Sequence, residues 1–343
     1  MSHTKTLYMV KKIKVLFLDR NWKGKQNGPT YWREGLVPAL RKQVDINVWI
    51  VPSNIFKAIK LLITNWKEFK EANIIQTQIS DFSMIMICLI GKLFRKKHFH
   101  MLHGNYINEK KDKGVKMYLK YEIIIKIANV VSFPTQYLRK TMLQKRKFRK
   151  TFVIHPGIKL TKLKRAKFSL KKPKIFIDVT SFHRYDKGRG VVPLTEAFNE
   201  IKEKGDKLFI VGGGINFNEF KKKCSGKDII FTGHKKNSQV HALLKKSDVF
   251  VHCSFMESFG IVLLEAMLAR LPILTVNIEG IPEAVGKAGL IVEPTKEGIR
   301  KGLLEMKNNP ILRRKIVEEQ EKHLPNFSWD KIATKLIKEY END

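Results

Sequence analysis

Hydrophobic residues in the first half of the chain fall into short apolar runs that alternate with segments of helical period. The first run, Lys12–Asp19 (KIKVLFLD), is almost continuously apolar, as expected of a strand buried on both faces of a parallel sheet. The same criteria predict strands at Asp45–Val51, Ile74–Thr77, His98–Leu102 and Val130–Phe133, and helices at Tyr31–Lys42, Phe82–Phe94, Lys113–Ala128 and Gln136–Lys147. Strands and helices alternating at this spacing predict a doubly wound parallel sheet.

A second alternating set follows Ile158–Pro173, a Lys-rich segment with little periodicity that is typical of a linker. Strands are predicted at Lys174–Val179, Lys207–Val211, Ile229–Phe231, Val249–His252 and Pro272–Thr275, and helices at Val192–Glu203, Phe217–Lys223, Ser238–Lys245, Gly260–Ala269 and Ile281–Val285. The last segment, Ile311–Tyr340, is predicted to be helical with a break at Pro325. The pattern therefore predicts an α/β protein with two Rossmann-like doubly wound domains facing across a cleft, which is a preferred place for ligands.

The length of 343 residues agrees with two domains. We expect an N-terminal domain at 1–160, a linker at 161–173 and a C-terminal domain at 174–320. The remaining helix, 321–343, is expected to pack back toward the N-terminal domain.

Basic residues outnumber acidic ones, and the excess is concentrated in the first half. The chain has 66 Lys and Arg against 32 Asp and Glu, a net charge of +34, of which residues 1–170 carry +27 and the remainder +7. A field of this sign attracts polyanions or anionic lipid. A Lys-rich proteome would explain a general excess but not its uneven distribution, so a functional and a compositional origin both stay open.

The three cysteines, Cys88, Cys224 and Cys253, are widely spaced, which is typical of buried thiols in a reducing compartment rather than of a disulfide framework or zinc site. Met1–Lys14 has no secretory signal pattern. The longest apolar stretch, Phe82–Ile90, is far shorter than the ~20 residues that a spanning helix needs. We therefore expect a cytoplasmic protein, either free or peripheral on the cytoplasmic face of a membrane.

The most informative chemistry lies where the predicted strand Val249–His252 leads through a loop into a helix that opens at Gly260. A helix N-terminus offers free N–H groups and a positive dipole end to a phosphate, and glycine lets the backbone approach it closely. Glu257 lies just before this helix and Glu265 about a turn and a half into it, so the two carboxylates can address a sugar and a ribose diol of one extended ligand. Alternatively, Glu257 substitutes for a helix cap and Glu265 is a solvated surface residue.

The complete string Glu257-Ser-Phe-Gly…Glu265-Ala-Met…Pro272…Glu279-Gly-Ile-Pro-Glu283 resembles the signature of the retaining GT-B glycosyltransferases of family 4, the glycosyl transferases group 1. Other segments resemble the same family in order: Asn27-Gly28, His103-Gly104, His155–Ile158, His183–Phe198, Lys207–Gly214 and Ile230–Gly233. The resemblance is specific over residues 175–293 and looser before residue 150. It implies a GT-B fold and a nucleotide-sugar donor, UDP- or GDP-linked, with no cofactor and no metal ion. On this resemblance the domain at 174–320 is expected to bind the nucleotide sugar and the domain at 1–160 the acceptor. The chain contains no Asp-x-Asp motif.

The resemblance also implies the donor-binding residues, which are Gly28, Arg184, Lys187, Arg189, Gly212, Gly213, Gly233, Glu257, Ser258, Phe259, Gly260, Ile261 and Glu265. Within this set Arg184 aligns with the family's pyrophosphate arginine and Arg189 with its phosphate-binding lysine, although Lys187 offers a competing alignment for that role. Paired cations would stabilise the leaving diphosphate in place of a metal.

The catalytic residues implied are Glu257, His103, Arg184 and Arg189. His103 is expected to face the cleft and to bond a sugar hydroxyl near the reacting carbon, its alternative being a structural histidine. Attack by the acceptor hydroxyl on the front face would pass its proton to the donor phosphate, so no protein general base is needed. Closure of the cleft would bring the residues of both domains together.

The basic segment Arg139–Lys150 carries interspersed apolar residues and suits a helix lying on anionic lipid, or else is an ordinary solvated face. We expect a glycan or lipid-linked acceptor, as in cell-surface polysaccharide or glycolipid synthesis, with peripheral contact to an anionic membrane through the basic domain. Phosphates of nucleic acid would explain the charge equally well, but the chain has no nucleic-acid-binding motif. The alternative function is therefore a DNA- or polyanion-directed GT-B protein, either a nucleic-acid glucosyltransferase or a catalytically silent binding module.

Overall fold

The computed structural model describes residues 13–20, 28–107, 114–160, 170–224 and 226–342. The chain forms two compact units. The first comprises Met1–Phe133, Thr141–Ile154 and Trp329–Asp343, and the second comprises Pro134–Lys140 and His155–Ser328. Each unit contains one six-stranded parallel sheet, so the prediction of two doubly wound α/β domains is confirmed.

The strands of the first unit are β1 (Lys14–Asp19), β2 (Asp45–Ile50), β3 (Ile74–Thr77), β4 (Lys97–Met101), β5 (Val130–Phe133) and β6 (Lys150–Val153). They lie in the order β2-β1-β3-β4-β5-β6. The helices are α1 (Gly28–Leu40), α2 (Ile55–Thr64), α3 (Trp66–Glu71), α4 (Phe82–Leu93), α5 (Val115–Ile127) and α6 (Gln136–Lys145), the last of which begins in the second unit.

The two faces of the first sheet are covered by different helices, because successive side chains of β1 point in opposite directions. Val15 and Phe17 pack on α1, whereas Leu16 and Leu18 pack on α2, α3 and α4. The core of this unit is therefore split by the sheet into two apolar layers, as expected of a buried parallel sheet.

The strands of the second unit are β7 (Ile175–Val179), β8 (Lys207–Val211), β9 (Ile229–Gly233), β10 (Val249–His252), β11 (Ile273–Val276) and β12 (Leu290–Val292). They lie in the order β12-β11-β10-β7-β8-β9, so the direction of winding reverses between β7 and β10. The helices are α7 (Tyr185–Gly188), α8 (Val191–Ile201), α9 (Phe217–Lys223), α10 (Asn237–Lys246), α11 (Ile261–Leu268), α12 (Ile281–Val285), α13 (Lys296–Asn308) and α14 (Pro310–His323). A short 3-10 helix, Leu324–Phe327, ends this unit.

The last helix, α15 (Trp329–Glu341), belongs to the first unit, where its apolar face packs on α1. Trp329 lies so close to α1 that a Cβ atom at Gly35 would overlap its indole ring. At the carboxyl end of this contact, Tyr340 donates a hydrogen bond to Gln76 of β3 (Oη to Oε1, 3.0 Å).

The compact units differ in their bounds from the predicted domains at three places, one of which is residues 155–160, predicted in the first domain but part of the second unit. The segment Pro134–Lys140 belongs to the second unit although it was predicted within the first domain, because Glu283 of α12 accepts the N–H groups of Gln136 (2.7 Å) and Tyr137 (2.6 Å). The second unit also continues to Ser328, whereas the predicted domain ended at residue 320. Of the predicted linker 161–173, residues 161–169 lie outside the described part of the chain.

None of the helices in the described residues is long and apolar enough to cross a membrane.

Candidate functional site

The topology of the second sheet selects one edge as the place for a ligand. Where winding reverses, the loops that follow the two central strands diverge and leave a crevice at the carboxyl ends of those strands. Here the two strands are β7 and β10, which pair directly. The segments that follow them touch, because a Cβ atom at Gly190 would overlap the carbonyl oxygen of Cys253. Most of the residues implicated by the sequence lie in these two segments.

A row of buried polar side chains runs along this crevice. Asp178, near the end of β7, and His252, the last residue of β10, approach to 3.2 Å between Oδ1 and Nδ1. His252 Nε2 lies 3.9 Å from Glu257 Oε2, and the same carboxylate oxygen accepts a hydrogen bond from Lys187 Nζ at 2.9 Å. Two strand ends, a loop and a helix thus converge on one carboxylate.

Glu257 is ionised in spite of its burial. Burial by itself would raise the pKa of this carboxyl, but the charges of Lys187 and His252 and the N–H group of Phe259 together hold its pKa below the usual value. Burial raises the pKa of Asp178 in turn, and the contact with His252 opposes that rise. A carboxylate held ionised in a buried crevice can accept hydrogen bonds from ligand hydroxyl groups.

The backbone of Glu257 is anchored by Glu279, which the sequence analysis quoted only as part of a signature. The N–H group of Glu257 donates to Glu279 Oε2 at 2.8 Å, and the N–H group of Gly280 donates to the carbonyl of Glu257 at 3.1 Å. Glu279 has a φ of +45°, a left-handed conformation that a non-glycine residue adopts at a cost of about 1 kcal/mol or more. Burial raises the pKa of its carboxyl.

The helix after the loop begins as the sequence predicts, except that Gly260 is its cap rather than its first residue. Gly260 is left-handed (φ +88°), and α11 begins at Ile261. The loop before it is fixed by its neighbours: Thr135 donates a hydrogen bond to the carbonyl of Ser258 (3.1 Å), and Phe259 stacks on His155 with 5.4 Å between ring centroids. The first N–H groups of α11 therefore lie at a rigid position beside Glu257.

Glu265 lies in α11, where its Oε1 is 3.8 Å from Nε2 of His241 on α10. The nearby carboxylate of Glu265 raises the pKa of His241. His241 was not among the residues predicted from the sequence, because nothing local in α10 distinguishes it from a surface histidine.

The structure separates the roles of the three predicted cations. Lys187 contacts Glu257, whereas Arg189 lies over the ring of Phe255 (5.2 Å from Cζ to the centroid) and beside Asp186 (3.5 Å). Arg184 immediately precedes α7, and its charge lowers the pKa of Glu279 against the effect of burial. Of these three cations, Lys187 lowers the pKa of both Glu257 and Glu279, and Arg184 lowers that of Glu279.

The predicted glycines of the second unit lie at turns that pack closely. A Cβ atom at Gly212 (φ +146°) would overlap the carbonyl oxygen of Thr180, and Gly213 lies against His234. Gly233 ends β9 with a φ of +70°. At Gly212 and Gly213 the absence of a side chain is explained by contact between the turn and its neighbouring loops.

Two predicted residues belong to the first unit. Gly28 opens α1, and the preceding Asn27 lies outside the described residues. His103 follows β4 and packs on Trp32 with 5.6 Å between ring centroids. Burial lowers the pKa of His103 to about 4, and its buried Nε2 has no hydrogen-bond partner among the described residues.

Sequence reasoning missed Asp178, His252 and Glu279. A signal for the first two was present, because each is a single ionisable side chain at or near the carboxyl end of an otherwise apolar strand, in IFIDV and VFVH. Such a residue is costly to bury unless it has a partner. Among the described residues, no group of three or more His, Cys, Asp and Glu side chains is arranged to hold a metal ion.

The second half of the chain is the part that matches known sequences most clearly. Residues 162–323 match the family model of the glycosyl transferases group 1. The O-antigen chain mannosyltransferase B of Escherichia coli is 29% identical over 113 residues, which are 33% of this chain and 30% of that protein. An uncharacterized glycosyltransferase of Methanocaldococcus jannaschii is 27% identical over 295 residues, covering 78% of this chain and 75% of the relative. The match to the mannosyltransferase thus spans under a third of its length.

The whole fold is similar to solved structures of low sequence identity. The Anabaena protein HepE, crystallised in complex with UDP-glucose, superposes with a TM-score of 0.71 at 16% identity, covering 96% of this chain and 100% of that chain. With two six-stranded parallel sheets of doubly wound topology, the fold is the predicted GT-B fold.

Proposed function

We propose that this protein is a retaining, metal-independent glycosyltransferase that moves a sugar from a nucleoside-diphosphate sugar to an acceptor hydroxyl. The observation that carries the proposal is the ionised, buried Glu257, which Lys187 contacts in the crevice where the winding of the second sheet reverses. A carboxylate, two cations and a helix N-terminus at one strand edge match the sugar, diphosphate and ribose of such a donor. The match of residues 162–323 to the glycosyl transferases group 1 supports the same activity.

Different residues of the site would bind different parts of the donor. Lys187 and Arg184, with the first N–H groups of α11, would bind the diphosphate, and Glu257 would accept hydrogen bonds from the sugar hydroxyls. Glu265 would bind the ribose diol. As ligand enters, the ammonium of Lys187 can turn from Glu257 to the diphosphate, which leaves the carboxylate to the sugar.

In the reaction, the bond between the anomeric carbon and the diphosphate oxygen breaks while the acceptor oxygen bonds to the same carbon on the same face. The acceptor proton passes to the diphosphate, so no protein base takes part. Lys187 and Arg184 would stabilise the negative charge that develops on the leaving group. Two residues of the first unit, Gly28 for donor binding and His103 for catalysis, are assigned from the sequence resemblance alone.

The UDP-glucose complex of HepE favours a UDP-linked donor over the GDP-linked alternative. For the acceptor we propose a glycan or a lipid-linked glycan of the cell surface, which agrees with the name of the Escherichia coli relative. The concentration of basic residues in the first half of the chain favours a location of the protein at the cytoplasmic face of an anionic membrane.

The donor is tested first by thermal shift with UDP, GDP, ADP, CMP and their sugar conjugates, each with and without EDTA. A ligand that binds only the native state raises the melting temperature by mass action. We expect one nucleotide family to raise it and EDTA to leave the rise unchanged. A rise that EDTA abolishes would overturn metal independence, and no rise with any nucleotide sugar would favour the silent binding module.

The site is tested by Glu265→Ala, with Glu297→Ala on the exposed surface of α13 as the matched control. We expect Glu265→Ala to weaken donor binding about 10-fold or more, because a charge-assisted hydrogen bond to the ribose is lost. Glu297 pairs with Arg300 away from the crevice, and its variant should bind the donor like the wild type. Equal affinities for both variants would remove Glu265 from the site.

A further inference from the structure

Three neighbouring helices of the first unit expose apolar side chains on the side that faces away from the sheet. Helices α2 and α4 cover the same face of the sheet through a shared apolar layer, and α5 packs beside α4. We call their outward side the outer helical face. Its exposed apolar residues include Phe56, Ile63, Leu89, Leu93, Leu119 and Ile123.

Large apolar side chains that are aligned along one face of a helix are seldom exposed to solvent to this degree. The exposed fractions are 79% for Phe56, 68% for Ile63 and 82% for Leu93. Leu89 and Leu93 are one helical turn apart on α4, a helix that is apolar on nearly all sides. Such a helix is normally buried on all sides. The sheet and the neighbouring helices α2 and α5 contact α4, yet Leu89 and Leu93 remain exposed.

The charges on α2 and α4 have one sign, whereas α5 also carries Glu122, which pairs with Arg146. Helices α2 and α4 contain lysines and no acidic residue at all. Within the described part of the chain, no carboxylate lies in salt-bridge distance of Lys57, Lys60 or Lys92. At the junction of α4 and α5, Lys120 lies over the ring of Phe82, 4.8 Å from its centroid. Apolar side chains interleaved with uncompensated lysines are complementary to an anionic lipid surface, with its apolar interior and negative headgroups.

We propose that the outer helical face is the surface through which this protein lies on an anionic phospholipid bilayer. This proposal deepens the membrane contact proposed above, but it concerns binding alone and does not require that sugar transfer take place. The apolar side chains of α2 and α4 enter the boundary between headgroups and acyl chains, while Lys57, Lys60 and Lys92 contact the phosphates.

This surface differs from the one that the sequence suggests. In the basic segment Arg139–Lys150, Met142 is fully buried and Phe148 packs edge-on against Phe133, so that segment offers Leu143 alone as an exposed large apolar side chain. The chemistry of the outer helical face also argues against other occupants. A second copy would bring a net charge of +34 against another. Nucleic acid offers little to bury exposed Ile and Leu.

The apolar contribution is tested by flotation of the full chain with vesicles of phosphatidylcholine alone and of phosphatidylcholine with phosphatidylglycerol. We expect Phe56→Ser with Ile63→Ser to lower the partition coefficient on anionic vesicles about 10-fold or more. Ile215→Ser with Ile311→Ser is the matched control, because both residues are as exposed but lie in the second unit. Binding of the first pair at the wild-type level would overturn the proposal.

The charge contribution is tested by Lys57→Glu with Lys60→Glu, compared with Lys145→Glu with Lys147→Glu. Both pairs change the net charge equally, so an equal loss of vesicle binding would mean a diffuse field and would overturn the assignment to this face. We expect the loss of vesicle binding to be about 10-fold greater for the α2 pair than for the Lys145 and Lys147 pair. Apolar variants that dissociate a dimer in light scattering would assign the face to a second copy and equally overturn the proposal.

Each variant should keep the wild-type melting temperature and its shift with the nucleotide sugar. These readouts keep the two proposals separate, because failure to bind any nucleotide sugar would overturn the proposed activity and leave the vesicle result standing. If the protein binds neutral and anionic vesicles equally, the assignment of anionic lipid as the partner is overturned, and the proposed activity is unaffected.

Discussion

At the scale of single residues, Glu257 is the group whose charge depends most on its surroundings. Its burial opposes ionisation, and Lys187 supplies the largest opposing effect on its pKa, with His252 second. His252 is itself held by Asp178. A buried ion pair of this kind contributes little net stability, but removal of one partner leaves an uncompensated charge. The arrangement therefore points to chemistry rather than to stability as the reason for its presence.

Replacement of Lys187 by alanine should change the pH dependence of turnover as well as its rate. Without the ammonium, burial raises the pKa of Glu257, so the carboxylate becomes protonated at a higher pH. We expect kcat/KM to fall about 10-fold or more and its acid limb to move to higher pH. The measurement is kcat/KM between pH 5 and 8. Lys322→Ala, which removes an exposed lysine paired with Glu319 on α14, is the control and should leave the profile unchanged.

Replacement of Glu279 by glycine should separate stability from activity. Glycine adopts the left-handed conformation freely, so relief of strain offsets the lost hydrogen bond and the unfolding free energy should stay within about 1 kcal/mol of the wild type. Turnover should fall several-fold, because the backbone of Glu257 loses its anchor. Arg270→Gly, at a residue with a φ of +58°, relieves comparable strain elsewhere and should keep full turnover. Equal turnover of the two variants would mean that Glu279 is only a turn residue.

At the scale of elements, the sequence predicts most strands correctly and overlooks several elements. Continuous apolar runs such as β1 and β10 are recognisable because both faces are buried. The edge strand β6 was missed because its four residues are only half buried and do not form a continuous apolar run. Helix α2 was also missed, although Asn54 gives a helix-start signal by accepting the N–H group of Lys57 (3.0 Å).

The contact between α1 and α15 makes a prediction about Gly35. A methyl group there would overlap the buried indole of Trp329, and a ring so enclosed cannot move away freely. We expect Gly35→Ala to lower the unfolding free energy of the first unit by about 1–3 kcal/mol, as in other overpacked sites. Glu34→Ala, at the exposed neighbouring position of the same helix, should lower it by less than about 0.5 kcal/mol. Urea unfolding monitored by tryptophan fluorescence measures both.

At the scale of the whole molecule, the described histidines whose pKa burial holds below its usual value all lie in the first unit. The first unit contains His98, His100 and His103, which burial keeps neutral, with the pKa of His98 lowered to about 3 and that of His103 to about 4. Thr77 Oγ1 lies 2.8 Å from a ring nitrogen of both His98 and His100. All five tryptophans also belong to the first unit, so their fluorescence reports on that unit alone.

Acid should therefore destabilise the first unit. The pKa of each histidine is lower in the folded state than the value near 6.5 of the unfolded chain, so the unfolded state binds more protons below that pH. Stability is complete above about pH 6.5 and decreases as the pH falls toward the folded pKa. We expect a loss of about 2 kcal/mol per buried histidine between pH 7.5 and 5.

The measurement is the urea midpoint of tryptophan fluorescence at these two pH values. His100→Asn should reduce the pH dependence, whereas His183→Gln, at an exposed residue of the second unit, should leave it unchanged. A midpoint that does not vary with pH would contradict the assignment of neutral buried histidines.

The sequence by itself determines the fold class, the division into two α/β halves and the stretch around Glu257 and Gly260 that carries the proposed chemistry. It can do so because apolar periodicity and a helix-opening glycine are local properties of the chain. Only the tertiary structure decides which of Lys187 and Arg189 reaches Glu257, and that Asp178, His252 and Glu279 support it. Those contacts join residues far apart in the chain, and their energies depend on burial and distance, which no local pattern records.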